Sequence, residues 1–210
     1  MRFIFFLKGT ASKNLYFFTL LVCYLFLGCF VLFSVRKGDE VIWLNQFHTT
    51  FSDFFFQYIT HLGDGLFCVL LSLFFLAFKK YKNALLIFLS FASSGILAQL
   101  LKRLAFPDMP RPTAYLSEKN INWHFVEGVE VFTANSFPSG HTATAFATFL
   151  MLALISKHKA WAGVFFFLLA FLVGLSRMYL LQHFFIDTYF GAMLGVVCAL
   201  LIYYFSNSSK

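Results

Sequence analysis

Charge is scarce in this chain: only 12% of its 210 residues are Asp, Glu, Lys or Arg, about half the share of an ordinary globular domain in water. That shortage excludes a typical soluble fold, and a hydrophobic content of 60% points to an integral membrane protein. Cysteine offers no cross-links. The four, Cys23, Cys29, Cys68 and Cys198, fall within apolar runs, without a disulfide framework or metal-ligand spacing, and read as packing thiols. No Pro-, Gly- or Ser-rich linker interrupts the sequence and no repeat recurs, so residues 1–210 read as a single domain. His48, His61, His124 and His158 form no ligand cluster and read as surface residues.

Long apolar runs, by contrast, are abundant. Six of them, near 15–35, 62–78, 84–101, 137–155, 160–175 and 184–205, approach what is needed to cross about 30 Å of hydrocarbon, which predicts an all-α polytopic protein. The first run continues past Cys29 through Phe30, Val31, Leu32 and Phe33, longer than a cleavable signal segment, and reads as a span. Asn45 to Ile59 carries Phe47, Phe51, Phe54, Phe55 and Tyr58 among polar residues and predicts an interfacial helix, the alternative being an extension of the second span.

Charge placement fixes an orientation, because Lys and Arg concentrate in cytoplasmic loops. With both termini inside, one face holds Arg2, Lys8, Lys13, Lys79, Lys80, Lys82, Lys157, Lys159 and Lys210 and no acid at all. The other face holds the remaining seven cations and all nine acids, so the net +7 divides into +9 inside and −2 outside. A pI of 9.3 therefore needs no nucleic-acid partner; the positive-inside pattern accounts for it. The expected location is a bacterial cytoplasmic (inner) membrane.

The remaining charges gather at the ends of the runs, in three clusters. Lys102 and Arg103 precede Arg111-Pro112; Pro138-Ser139-Gly140-His141 opens the fourth run; Ser176-Arg177 is followed by His183 and Asp187. Ser136 and Pro138 favour a helix start, which places Ser139, Gly140 and His141 in a first turn whose free N–H groups and dipole suit a phosphate-like anion. His183 and Asp187, four apart, share one helix face, where a carboxylate can orient an imidazole. Arg177 adds a bidentate fork suited to phosphate. On the assumed topology all three clusters lie on the outer side. Asp64, within Gly63-Asp64-Gly65, reads as a cap of the second span, with contact to the site as the less favoured alternative, and Asp53 as a cap or anchor of the interfacial helix.

These clusters resemble the signature of the type 2 phosphatidic acid phosphatase family, Lys-x6-Arg-Pro, then Pro-Ser-Gly-His, then Ser-Arg-x5-His-x3-Asp. The second and third parts match residue for residue, whereas eight residues separate Lys102 from Arg111 where the family has six, and Arg103 would leave seven. Lys102 is the preferred match, with the extra residues looping out around Pro107 and Pro110. The resemblance implies a haloperoxidase-like helical core and a metal-independent, cofactor-free membrane phosphatase. In it His183 is the nucleophile that forms a phosphohistidine, Asp187 orients it, and His141 is the acid and then the base. Lys102, Arg111, Ser139, Gly140 and Arg177 hold the phosphate.

Expected substrates are lipid phosphates or pyrophosphates of the outer leaflet: undecaprenyl pyrophosphate, phosphatidylglycerol phosphate, phosphatidic acid or lipid A. Phosphotransfer to another alcohol would use the same site but needs an acceptor pocket. A non-enzymatic anion or lipid transporter is the reading from another class. Transporter folds favour paired repeats and charges at the midplane, whereas these charges sit at span ends. The segment 105–136 lacks a spanning run and carries Trp123, Phe125, Val126, Val129, Val131 and Phe132 among acids. It reads either as a substrate-selecting cap on the membrane surface or as an amphipathic tether without selectivity.

The topology is testable directly. A cysteine placed at Glu127 in a background lacking the native thiols reacts with an impermeant maleimide in intact cells; labelling only after lysis reverses the orientation.

Overall fold

A computed structural model describes residues 2–208, and every described element is helical. In chain order these are α1 (Arg2–Lys13), α2 (Leu15–Ser34), α3 (Asp39–Gln46), α4 (Thr50–Ile59), a 3₁₀ turn (Thr60–Gly63), α5 (Gly65–Ala77), α6 (Tyr81–Leu100) with a π turn (Leu101–Ala105), α7 (Pro112–Tyr115), α8 (Gly140–Ile155), α9 (Lys159–Tyr179) and α10 (Phe185–Ser208).

Helices stand at all six apolar runs, but the expected count of six spans is not reached by length. Four are long and apolar enough to cross a membrane, Leu15–Ser34, Tyr81–Ala105, Lys159–Tyr179 and Phe185–Asn207. A fifth would need Thr50–Gly63 and Gly65–Ala77 taken together, and that pair is bent by 59°. The run at 137–155 yields α8, whose 16 residues rise about 24 Å, short of the hydrocarbon thickness. The shortfall has a physical reason: α8 is the centre of the bundle, packed against α6, α9 and α10, and has little contact with lipid to match. From Thr142 to Leu154 its residues are buried on every side, as an all-round apolar and small-residue sequence requires.

Close approach of α8 and α10 depends on missing side chains. A Cβ at Gly195 would stand 2.2 Å from the Ala143 carbonyl oxygen, and one at Gly191 would stand 2.7 Å from that of Ser139. Glycine there lets the two backbones touch, the usual device for helices that gain little from burying apolar area in lipid. The consequence reaches the start of both helices, where the Ser139 N–H donates to the Asp187 carbonyl at 3.0 Å.

The aromatic stretch 45–59 is helical in two pieces. Thr49 and Ser52 form a reciprocal capping box that starts α4, which exposes Phe51, Phe54 and Tyr58. Asp53 serves as an anchor and not as the cap: it accepts hydrogen bonds from the Tyr179 hydroxyl and from His124 Nε2, tying α4 to the end of α9 and to the 105–136 segment. That segment is irregular apart from α7. It is held by the Asn45 amide donating to the His124 carbonyl at 2.8 Å, the Gln182 amide donating to the Glu130 carbonyl at 2.8 Å, and the Arg111 N–H donating to the Thr133 carbonyl at 2.8 Å.

Gly195→Ala is expected to destabilise the protein by about 1–3 kcal/mol through overpacking, read as a lower Tm in detergent, whereas Gly9→Ala, whose Cβ meets nothing within 4 Å, leaves Tm unchanged. Equal Tm values for the two variants would reject the role given to the α8–α10 contact.

Candidate active site

The end of α6, the starts of α5 and α8, and the loop between α9 and α10 meet around one open cavity of about 680 Å³. Six of the eight residues expected to form the site line it: Lys102, Arg111, Gly140, His141, Arg177 and His183. Phe88, Phe91, Ile96 and Leu100 of α6 line its other wall. The cavity thus has a cationic side and an apolar side.

Each cation is anchored by groups that leave part of it free. Lys102 lies in the π turn, is 6% exposed, and donates from Nζ to the Asn135 carbonyl at 2.9 Å. The excess residues between Lys102 and Arg111 are absorbed by this wider turn and by Asp108, whose φ of 56° reverses the chain between Pro107 and Pro110. Arg103 is exposed and reaches the same cavity. Arg111 donates from Nε to the Ala134 carbonyl at 2.8 Å and from Nη1 to the Gln182 side-chain oxygen at 2.6 Å. Burial lowers its affinity for the proton and Asp187 raises it, but a guanidinium stays charged. Arg177 donates from Nη1 to the Thr60 hydroxyl at 2.8 Å, while its buried Nε has no partner in the protein.

His183 sits in the α9–α10 connection, where the Leu181 φ of 58° turns the chain and the His183 N–H donates to the Arg177 carbonyl at 3.1 Å. Its Nδ1 is buried without a hydrogen bond, 3.4 Å from Asp187 Oδ2. That carboxylate oxygen already accepts from the Ser136 hydroxyl at 2.5 Å and the Phe184 N–H at 2.9 Å, so Asp187 is fixed behind the histidine and does not itself line the cavity. Burial, reinforced by Lys102, Arg111 and Arg177, holds the His183 imidazole well below its ordinary pKa. The ring is neutral at pH 7.

Ser139 departs from the expected phosphate contact. It is fully buried; its hydroxyl accepts from the Thr142 N–H at 3.4 Å and the Thr142 hydroxyl at 2.9 Å, and its own N–H is spent on Asp187. As the cap of α8 it has no atom facing the cavity, whereas a Cβ on Gly140 would meet nothing within 4 Å, leaving that backbone open to a ligand.

Asp64 stands at the position before α5, as expected, but makes no capping bond to it; its Oδ1 lies 2.5 Å from His141 Nε2 and its Oδ2 lies 2.7 Å from Nδ1 of His61, which is exposed as expected of a surface residue. Thr60, Ser136 and Gln182, which hold Arg177, Asp187 and Arg111, were not anticipated. The only local signal was the glycine on each side of Asp64.

Cations and histidines converging on a half-apolar cavity at one end of a helical bundle define a class, the membrane phosphatases. Residues 83–210 match the family model described as the PAP2 superfamily, and the chain belongs to that family. It is 28% identical over 201 residues to phosphatidylglycerophosphatase B of Bacillus subtilis (strain 168), spanning 84% of this chain and 87% of that one. A 75-residue stretch, 35% of this chain and 17% of the relative, is 37% identical to lipid A 1-phosphatase of Porphyromonas gingivalis. The crystal structure of Aquifex aeolicus LpxE superposes with a TM-score of 0.67 at 28% identity, over 79% of this chain and 93% of that chain. The protein is an all-helical membrane phosphatase with relatives in bacteria.

Removal of Lys102 (Lys102→Ala) is expected to lower kcat/KM for phosphate release by roughly a hundredfold, the cost of losing a preorganised charge. Arg103→Ala should lower it by less than about threefold, as for a headgroup anchor. Reversal of that order would reassign the first signature position.

Proposed function

We propose that this protein hydrolyses a lipid phosphate or pyrophosphate monoester at the outer face of a bacterial cytoplasmic membrane, through a phosphohistidine on His183. The observation that carries this reading is Arg177 Nε, a buried donor without a partner in the protein, in the cavity that Lys102, Arg111 and His183 also line. A buried donor without a partner is costly, and a phosphoryl oxygen would relieve it. The apolar wall formed by Phe88, Phe91, Ile96 and Leu100 suits an acyl or prenyl tail continuous with the bilayer. Two of the relatives, phosphatidylglycerophosphatase B and lipid A 1-phosphatase, are also named for lipid phosphates.

The chemistry follows from which nitrogen each carboxylate faces. Asp187 stands behind His183 Nδ1, so Nδ1 carries the proton and Nε2 keeps the lone pair. Nε2 attacks phosphorus, the P–O bond to the lipid breaks, and His141 gives its proton to the leaving oxygen. His141 then takes a proton from water as the water oxygen bonds to phosphorus; the N–P bond breaks and inorganic phosphate leaves. Lys102, Arg111, Arg177 and the Gly140 N–H stabilise the equatorial oxygens in both steps. Phosphatidylglycerol phosphate heads the candidates, because the relative named for it aligns over most of both chains.

The test is phosphate release in detergent from phosphatidylglycerol phosphate, phosphatidic acid, undecaprenyl pyrophosphate and lipid A. Wild type is expected to turn over at least one of them and to yield a base-stable, acid-labile phosphoenzyme; His183→Ala is expected to do neither while keeping its Tm. Because His183 must be deprotonated to attack and its pKa is held low, activity should persist below pH 6.5, the ordinary histidine value, with the acid limb of kcat/KM falling under it. Turnover by His183→Ala removes the nucleophile from the scheme.

A further inference from the structure

We infer that Asp64, which lies outside the three-part signature, is the positioning residue for the leaving-group acid: it holds His141 through Nε2 so that Nδ1 delivers the proton. This rests on the role proposed above for His141.

The turn that carries Asp64 is fastened to the start of α8 on two sides. A Cβ at Gly63 would stand 2.7 Å from the His141 carbonyl oxygen and 2.7 Å from a Val173 methyl, so the turn packs directly on α8 and α9. The Thr144 hydroxyl donates to the Gly63 carbonyl at 2.5 Å, a residue away from the carboxylate. Asp64 is therefore placed by backbone contacts, and the 2.5 Å approach of Oδ1 to His141 Nε2 follows from that placement.

The consequence for His141 is a defined division of its nitrogens. With Nε2–H donated to the carboxylate, the neutral ring has its lone pair on Nδ1 and can deprotonate water; the cationic ring has Nδ1–H and can protonate a leaving oxygen. Burial, with Arg177 and Lys102 nearby, holds the His141 imidazole below its ordinary pKa, and the fixed negative charge of Asp64 works against that in favour of the cationic form. Asp64 is suited to this because it stays ionised: burial works against that, but hydrogen bonds from His141 and His61 prevail and hold its carboxyl below the usual range. The groups facing the couple are thus His61 from the 3₁₀ turn, Lys102 from the π turn and Arg177 from α9.

The two carboxylate–imidazole couples differ in wetness. The side chains of His183 and Asp187 are each 2% exposed, whereas those of His141 and Asp64 are each 33% exposed. The dry couple suits a nucleophile shielded from premature water. The wetter one suits a ring that must meet both a leaving oxygen and the hydrolytic water.

Leaving-group dependence separates positioning from a merely structural role. Asp64→Asn, Asp64→Glu and His141→Ala would be assayed on p-nitrophenyl phosphate, whose leaving oxygen needs little protonation, and on a short-chain alkyl phosphate, whose oxygen needs it fully. His141→Ala and Asp64→Asn are both expected to lose roughly a hundredfold in kcat/KM, which reports phosphoenzyme formation, on the alkyl ester and less than about fivefold in kcat/KM on the aryl ester. The basic limb of kcat/KM should move to lower pH in Asp64→Asn, and Asp64→Glu should recover part of the alkyl activity. If His141→Ala shows that grading while Asp64→Asn and Asp64→Glu lose equal factors on both esters, with the basic limb unmoved, the inference about Asp64 is wrong and the proposed function stands. No grading in His141→Ala would instead remove the acid on which the inference rests.

Discussion

Three cations around one cavity repel each other, and much of the local structure answers that repulsion. At an effective dielectric of 20, two like charges 6 Å apart cost about 3 kcal/mol, so Lys102, Arg111 and Arg177 stay together only because their surroundings leave no better arrangement. Backbone carbonyls of Asn135, Ala134 and Gln182 supply partial negative charge without supplying an ion that would neutralise the site. Asp187 and Asp64 supply full charges, but each faces an imidazole. The balance is left positive. On the function proposed above, an anionic phosphate would offset that charge, so that substrate binding and relief of repulsion in the cluster would be a single event.

The way the chain reads from sequence follows from which constraints are local. Pro138-Ser139-Gly140-His141 and the Arg177, His183, Asp187 spacing are written in consecutive residues, and the fold adds only the contact between them. Asp64 depends on a different kind of fact. Its capping signal, a carboxylate just before an apolar helix, is correct as a local statement, since it does occupy the first position before α5. Tertiary packing overrides it, because the same turn is pressed onto α8 through Gly63 and offers the carboxylate a histidine instead of a backbone N–H. Ser139 shows the converse. Its local capping role holds, and holding it is what removes the hydroxyl from the cavity.

Helix length confirms only four of the six expected spans for a related reason. Hydropathy measures what a segment could do in lipid, and α8 is apolar enough to belong there, but its apolar surface is consumed by α6, α9 and α10. Length selection by the bilayer acts on helices that lipid touches. An enclosed helix escapes it, and the sequence does not say which helix will be enclosed until Gly191 and Gly195 are seen to admit α8.

The shortness of α8 also explains where the chemistry sits. A three-residue connection joins α8 to α9, so the two helices share one end of the bundle; at 16 and 21 residues their other ends differ by about 8 Å. Above the start of α8 this leaves an open recess, walled by the end of α9 with Arg177 and by the end of α6 with Lys102, and lined also by Phe132 of the irregular segment. A full-length α8 would fill that recess with its own backbone. The first turn of α8, with the Gly140 backbone open, thus lies at the floor of that recess beside the cations, where the function proposed above would place the phosphate.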